Sequence, residues 1–441
     1  MISLVLVAAA LQVADSARLP LAAAIDRALA RYPSVAAAEA VRGRASAEVG
    51  EAQASWLPRL SVDASLTRFQ EPMVVRPLHG FDPLNPPLFD RTLLQSGVSL
   101  SYTLWDFGAR SGRVGAARAL TSVADASLDG SRAQLVQQVL AAYLRVGSAR
   151  EVLVAEDQRV AALDREVDRV TQMLAQGKAA RVQLLRAEAE REGARAERIG
   201  AAAGLDVAEH ELALLAELPL DSVHAARLDR MALAAGAETQ MVDRSGLLAS
   251  AGERNPQIRE ATSRVQAAVA AAGAVRATRF PELRVLGGYV DRGRAFGDFV
   301  AEWQGGVQLS YPVFTGGQRG SAIRRAAWDV EIQEQQQRLA KLNLSQAIDR
   351  ALAAREEARA RVVALELATQ RSAEVARIER LSLDVGSGTQ RDYLDAEAYL
   401  LRSRASLIEA RHAEILALTE LARLAGQLTP AWVAGALERQ S

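Results

Sequence analysis

Residues 97–110 read GVSLSYTLWDFGAR and residues 306–319 read GVQLSYPVFTGGQR, identical at seven of fourteen positions and 209 residues apart. A chain built twice in this way folds as two equivalent halves, which overrides the roughly three domains that its length alone suggests. Each copy first alternates: Val98, Leu100, Tyr102 and Leu104 against Ser99, Ser101 and Thr103, then Val307, Leu309, Tyr311 and Val313 against Gln308 and Ser310. That is a strand with one apolar and one polar face. After Gly108 and Gly317 the alternation gives way to a long Ala-rich, charged helical pattern.

The punctuation repeats too. Asn255-Pro256 answers Tyr32-Pro33 and Phe280-Pro281 answers Leu57-Pro58, both at an offset of 223, while Gly317 answers Gly108 and Gly386 answers Gly177 at 209. Arg110 to Gly177 and Arg319 to Gly386 each span 67 residues, a rod of about 100 Å if helical. Val139, Val146, Leu153, Val160, Val167 and Leu174 recur every seventh residue, with Leu163 and Val170 on the same stripe, the spacing of coiled-coil packing. The predicted first repeat covers 19–217, with strands at about 58–69 and 95–105, a long helix at 110–176 and a return helix at 179–217. The second covers 242–426, with strands at about 281–291 and 303–314 and helices at 319–385 and 389–426. Ser34 is expected to cap a helix running to about Ser55. Glu71 to Pro87, with five prolines, is expected to be a loop. Residues 218–241 read as a linker without clear period and 427–441 as a tail. The short helices are expected to stack end to end beside the long one.

Ile2 to Leu11 is an apolar run followed by small residues, so 1–16 reads as a secretory signal. No other apolar stretch approaches the ~18 residues of a membrane-spanning helix. Lys+Arg and Asp+Glu are both 53 and cysteine is absent, which removes a basic field for nucleic acid, disulfides and thiolate chemistry. His79, His210, His224 and His412 have no ligand spacing, and no nucleophile or phosphate-binding motif sits in a supporting context. Neither enzyme, cofactor nor metal is expected.

Two strands per repeat give four, too few to close a transmembrane barrel, which needs at least about eight. An open sheet in lipid leaves unpaired edges. The sequence thus calls for an oligomer. Three copies supply twelve strands, whereas two supply eight with too little bore for transport.

With these features the chain resembles the TolC-type outer-membrane efflux and secretion channels. The matching parts are AAIDRALARYPSV with GLLASAGERNPQI, WLPRLSV with FPELRVL, the two junctions above, and the turns LAQGKAARVQLLRAEAE and LDVGSGTQRDYLDAEAY. The resemblance implies a mainly α fold with a β-barrel portion: a homotrimer with a twelve-stranded barrel in the outer membrane and a twelve-helix tunnel through the periplasm. It also implies a periplasmic adaptor and an inner-membrane pump as partners, in a tripartite efflux or type I secretion system, with the chain itself a passive duct. A soluble coiled-coil scaffold is the alternative, and it leaves the four amphipathic strands unexplained.

The resemblance places Gly177, Lys178, Gly386, Ser387, Gly388 and Thr389 at the tunnel tip, where the adaptor contacts it; plain helix termination is the competing reading. It makes Asp392 and Asp395 pore-facing carboxylates that constrict the passage and select cations. In the first repeat the position matching Asp392 is Gln183, and Arg391 stands beside Asp392, so the tip network is expected to differ from the family's. Solvated carboxylates at a helix start are the simpler alternative. Pro58, Gly108, Pro281 and Gly317 mark the β-to-α junctions. Trp56, Tyr102, Trp105 and Tyr311 suit either a membrane-interface girdle or packing where sheet meets helix.

Overall fold

A computed structural model describes residues 18–75, 84, 88–234, 243–294 and 297–439, without the side chain of Gln390. The signal-like segment, His79 and most of the first hairpin loop lie outside the described residues. The chain divides into two units. One, here the helical unit, comprises Met1–Ala40, Ala126–Arg259 and Leu339–Ser441; the other, the sheet unit, comprises Val41–Asp125 and Glu260–Arg338.

The sheet unit holds β2 (Arg59–Val74), β3 (Phe89–Trp105), β6 (Glu282–Arg294) and β7 (Gly297–Ser310), in the order β2-β3-β6-β7. All three pairings are antiparallel. The period-2 pattern decides the faces. One row runs Val62, Val98, Tyr289, Trp303, and the adjacent row on the other face runs Ser61, Ser99, Gly288, Gln304. Within this chain the apolar face is uncovered: Val62 is 76% exposed and Trp303 82%. The unit also contains parts of α2 (Pro33–Ala54), α3 (Ala109–Ala175), α7 (Pro256–Ala277) and α8 (Gln318–Asp384). They pack through small residues such as Ala45, Ala119, Ala267 and Ala274.

Three sequence expectations are corrected here. Glu71 to Val74 is strand rather than loop, because Pro72 falls where the ladder shifts register between Arg68 and Met73 and no donated hydrogen bond is needed. The helix expected to be capped by Ser34 instead begins at Pro33, since proline's fixed φ and missing N–H suit a first helical position. The last strand ends at Ser310 and excludes Tyr311 and Val313; Pro312 cannot continue the ladder.

The helical unit carries most of the core. The remaining elements are β1 (Arg18–Leu19), α1 (Leu21–Arg31), α4 (Arg181–Ala216), α5 (Leu220–Ala225), β4 (Arg227–Leu228), β5 (Met231–Leu233), α6 (Arg244–Arg254), α9 (Gln390–Leu424), α10 (Pro430–Ala436) and β8 (Leu437–Arg439). The heptad stripe of α3 is inside, with Val139, Val146, Leu163, Val167 and Val170 all buried. Arg145, Arg159 and Asp157 pair with Glu211, Glu197 and Arg198 across α3 and α4. On α3's other flank Ser148 meets His412 at 2.6 Å and Gln137 donates to Glu420 at 2.9 Å, both on α9. Arg411 of α9 reaches Glu366 of α8 at 2.8 Å. The lateral order is therefore α4-α3-α9-α8.

The linker and tail have more structure than their sequences indicate. β1 pairs in parallel with β4, and β5 pairs antiparallel with β8. Asp229 accepts an ion pair from Arg18 at 2.7 Å and another from Arg439 at 3.3 Å. The buried Tyr143 hydroxyl donates to the Leu19 carbonyl and accepts from the Asp229 amide, at 2.8 and 2.7 Å. Burial pushes its pKa up to about 12. Buried Glu209 is clamped by Arg150 at 2.7 Å and by His224 at 2.8 Å, while Arg150 also donates to the Val223 and Ala226 carbonyls at the end of α5.

In the second repeat one side chain links the end of α9 to the start of α7. Asn255 Oδ1 accepts from the Gln257 and Ile258 amides that open α7, while its Nδ2 donates to the Leu424 carbonyl that closes α9. The chain just after α9 approaches the α6–α7 junction so closely that a Cβ at Gly426 would lie 2.4 Å from the Arg254 carbonyl carbon and 2.5 Å from its oxygen. Gly426 also has φ of +70°. Gly426→Ala is therefore expected to cost about 2–3 kcal/mol, from backbone strain and overpacking together, read as a lowered denaturant midpoint.

Burial pushes the His412 imidazole below its ordinary value of 6.5. Because the folded state resists protonation, His412's contribution to stability is complete above about 6.5 and is lost as pH falls below it, by at most about 1.4 kcal/mol per pH unit. The thermal midpoint is expected to fall between pH 7 and pH 5, less steeply in His412→Gln.

Candidate functional site

Two places concentrate the residues singled out from the sequence: the β-to-α junctions of the sheet unit and the helix-hairpin ends of the helical unit.

At the first junction Asp106 accepts from the Gly108 and Arg110 amides at 3.2 and 2.8 Å, capping α3. Its carboxylate also holds the buried Arg110 side chain at 3.1 Å and is itself largely shielded from solvent. The Arg110 guanidinium lies 4.3 Å from the Trp56 ring centre and 6.0 Å from that of Tyr102, a cation–π arrangement. Phe107 stacks on Phe280 at 4.7 Å and meets Trp105 edge-on at 5.9 Å. Pro58 and Pro281 stand immediately before β2 and β6.

The second junction is looser. Thr315 replaces Asp106, so no carboxylate caps α8, and Gly316 replaces Phe107. Arg319 lies 5.2 Å from the Tyr311 ring centre and donates to the Pro312 carbonyl at 2.6 Å. Phe314, which answers Trp105, is 87% exposed. Trp56 and Trp105 thus belong to an intrachain cluster, yet both keep substantial exposed surface.

The hairpin ends are equivalent in backbone. Gly177 and Gly386 have φ of +72° and +77°. Lys178 N donates to Met173 O and Gly177 N to Leu174 O; Ser387 N donates to Ser382 O and Gly386 N to Leu383 O. These are two Schellman caps at matching positions. Gly388 N adds a third bond to Ser382 O.

The helices that follow start differently. Thr389 caps α9: its hydroxyl accepts from the Asp392 amide at 3.2 Å and donates to Asp392 Oδ2 at 2.6 Å. In the first repeat Ala180 and Gln183 stand at these positions, and only Gln183 Oε1 contributes, accepting from the Ala180 amide at 3.1 Å. Asp392 is thus held by the cap, whereas Asp395 is 73% exposed and faces Arg391 at 3.6 Å, a weak surface pair. Tyr393, which the sequence did not single out, donates to Glu397 at 3.1 Å. Its pKa is raised by burial and by Glu397, against the opposing fields of Arg380 and Arg165. Three helices meet there, and a lone Tyr in a charged helix carries no signal of that in one dimension. Among the described residues no His, Asp and Glu side chains cluster to hold a metal, and no helix is long and apolar enough to cross a membrane.

The Asp106–Arg110 pair yields a direct expectation. Arg110→Met leaves a largely shielded carboxylate without its counter-ion and is expected to cost about 3 kcal/mol, whereas Arg319→Met, with no carboxylate partner among the described residues, costs under about 1 kcal/mol. Urea unfolding followed by tryptophan fluorescence checks the contrast.

The sequence profile of the outer membrane efflux protein family matches residues 24–216 and 247–427, nearly the whole of both repeats. Nodulation protein T of Rhizobium leguminosarum bv. trifolii is 23% identical over 372 residues, 83% of this chain and 76% of that protein. Among solved structures, the outer membrane protein VceC of Vibrio cholerae superposes with a TM-score of 0.75 at 20% identity, covering 92% of this chain and 96% of the other. The Campylobacter jejuni CmeC outer membrane channel gives 0.76 at 16% identity, over 96% and 87%. The MtrE outer membrane channel of Neisseria gonorrhoeae gives 0.73 at 23%, over 93% and 90%. The doubled sheet-and-helix architecture and the profile matched across both copies lead to one conclusion: the chain belongs to the outer membrane efflux protein family.

Proposed function

We propose that the protein is the outer-membrane exit duct of a tripartite efflux or type I secretion system, a passive homotrimer. The observation that carries this reading is the open four-stranded sheet, with an exposed apolar face and, among the described residues, two long unpaired edges at β2 and β7. Strands of 13 to 17 residues exceed the roughly 9–11 needed to cross a bilayer at a tilt. In lipid the apolar face is stable, and the edges are stable only if β7 of one copy pairs with β2 of the next. Three copies close twelve strands around a polar interior.

The helical unit favours self-association from its own side. Its outer helices α4 and α8 expose Ile199, Val207 and Leu214 and Val363, Leu367 and Val375, surfaces that a neighbouring copy would cover. The hairpin ends at Gly177–Lys178 and Gly386–Thr389 are assigned to contact a periplasmic adaptor and, through it, an inner-membrane pump. Asp392 and Asp395 of three copies form carboxylate rings at the tip, with Arg391 and Gln183 adjusting their charge, and select for cations. Trp56, Tyr102, Trp105 and Tyr311 sit at the level of the membrane interface. The outer membrane holds the barrel and the periplasm the tunnel; energy and substrate choice come from the pump.

Mild cross-linking of outer-membrane fractions is expected to give a trimer, and the purified protein to conduct in planar bilayers; a soluble monomer would overturn the reading. Replacing Asp392 and Asp395 with Ala is expected to raise single-channel conductance and lower cation preference, with unchanged values counting against the carboxylate rings.

A further inference from the structure

The helical unit contains a groove of 610 Å³ between α3, the β4–β5 stretch and α9, a volume suited to a small organic molecule. Leu144, Leu228, Met231, Leu401 and Ile408 supply apolar lining. The charged lining is out of balance. Glu151 is taken by Arg230 at 2.8 Å, and Asp229 by Arg18 and Arg439. Arg150 and Arg411 are answered by Glu209 and Glu366. That leaves the Arg227 and Arg404 side chains, which among the described residues have neither a carboxylate nor a hydrogen-bond partner.

A hydrated surface arginine is ordinary; two without counter-ions on the walls of a part-apolar groove whose acids are already spent are a complementary field for one kind of ligand. A guanidinium offers paired N–H donors to a carboxylate or sulfonate, and the aliphatic wall takes a hydrocarbon body out of water. We infer that this groove binds an amphipathic organic anion, with Arg227 and Arg404 holding the charged head and the Leu144–Met231–Ile408 wall the body. Neither the trimer nor the pore rings enter this argument.

Saturation-transfer NMR on the full chain in lipid nanodiscs, with empty nanodiscs subtracted, tests it using naphthalene-2-sulfonate as the probe. Saturable binding is expected, weakened at least tenfold in the double variant R227Q/R404Q and largely retained in R404K. Naphthalene-2-methanol, which keeps the body without the charge, and inorganic phosphate, which keeps charge without the body, are each expected to bind at least tenfold more weakly. Circular dichroism monitors folding, and R404Q alone, with a threefold threshold, serves if the double variant does not fold. Absent or unsaturable binding, equal binding by the neutralised variant, or phosphate binding as tightly as the sulfonate would each overturn the assignment.

Discussion

A strand edge cannot end in hydrocarbon, and much of this chain can be understood from that constraint. β3 and β6 each have a neighbouring strand on both sides, whereas among the described residues β2 and β7 have one on a single side only. The same four strands turn Val62, Trp303 and Val307 outward, a face that water would penalise by roughly 25 cal/mol for each Å² of apolar surface. A sheet of this kind is incomplete as a monomer in water. It is suited to lipid and to further strands, which fits the membership of an outer-membrane efflux family.

Duplication supplies the parts, and divergence between the copies shows what each position does. The backbone devices are kept: the Schellman caps at Gly177 and Gly386, and the left-handed C-caps at Glu217 and Gly426. Side-chain devices are not. Asp106 caps a helix and buries an arginine where Thr315 does neither, and Thr389 with Asp392 builds a reciprocal cap where Ala180 and Gln183 make half of one. Asn255 splices two helices where Tyr32 cannot, and Gly426 tolerates a close backbone approach to Arg254. Chain geometry is thus repeated while local stability is distributed unequally between the halves.

The helical unit is held laterally by a different logic. Heptad packing along α3 is nonspecific in register, since any shift of seven residues preserves an apolar seam. Polar links such as Gln137–Glu420, Ser148–His412 and Arg411–Glu366 are satisfied only in one alignment, and they fix which helix lies beside which. Asp229 does the same for the chain ends: one carboxylate in the linker holds Arg18 near the start and Arg439 near the finish.

The sequence by itself determined the two-fold repetition, the strand faces, the 67-residue length of each long helix and the glycine turns, because all of these rest on local periodicity and on backbone preferences of Gly and Pro. It also singled out Gly177, Gly386 and Asp392, though without showing that Asp392 is engaged in a helix cap. Only the tertiary structure decided what lies far apart in the chain and close in space: the β1–β4 and β5–β8 pairs, the Asp229 clasp, the Asn255 splice, the Arg110 cluster and the arginine-lined groove. Two-residue strands carry no readable period. A single Asp or Arg among 106 charged residues acquires a role only when folding selects its partners.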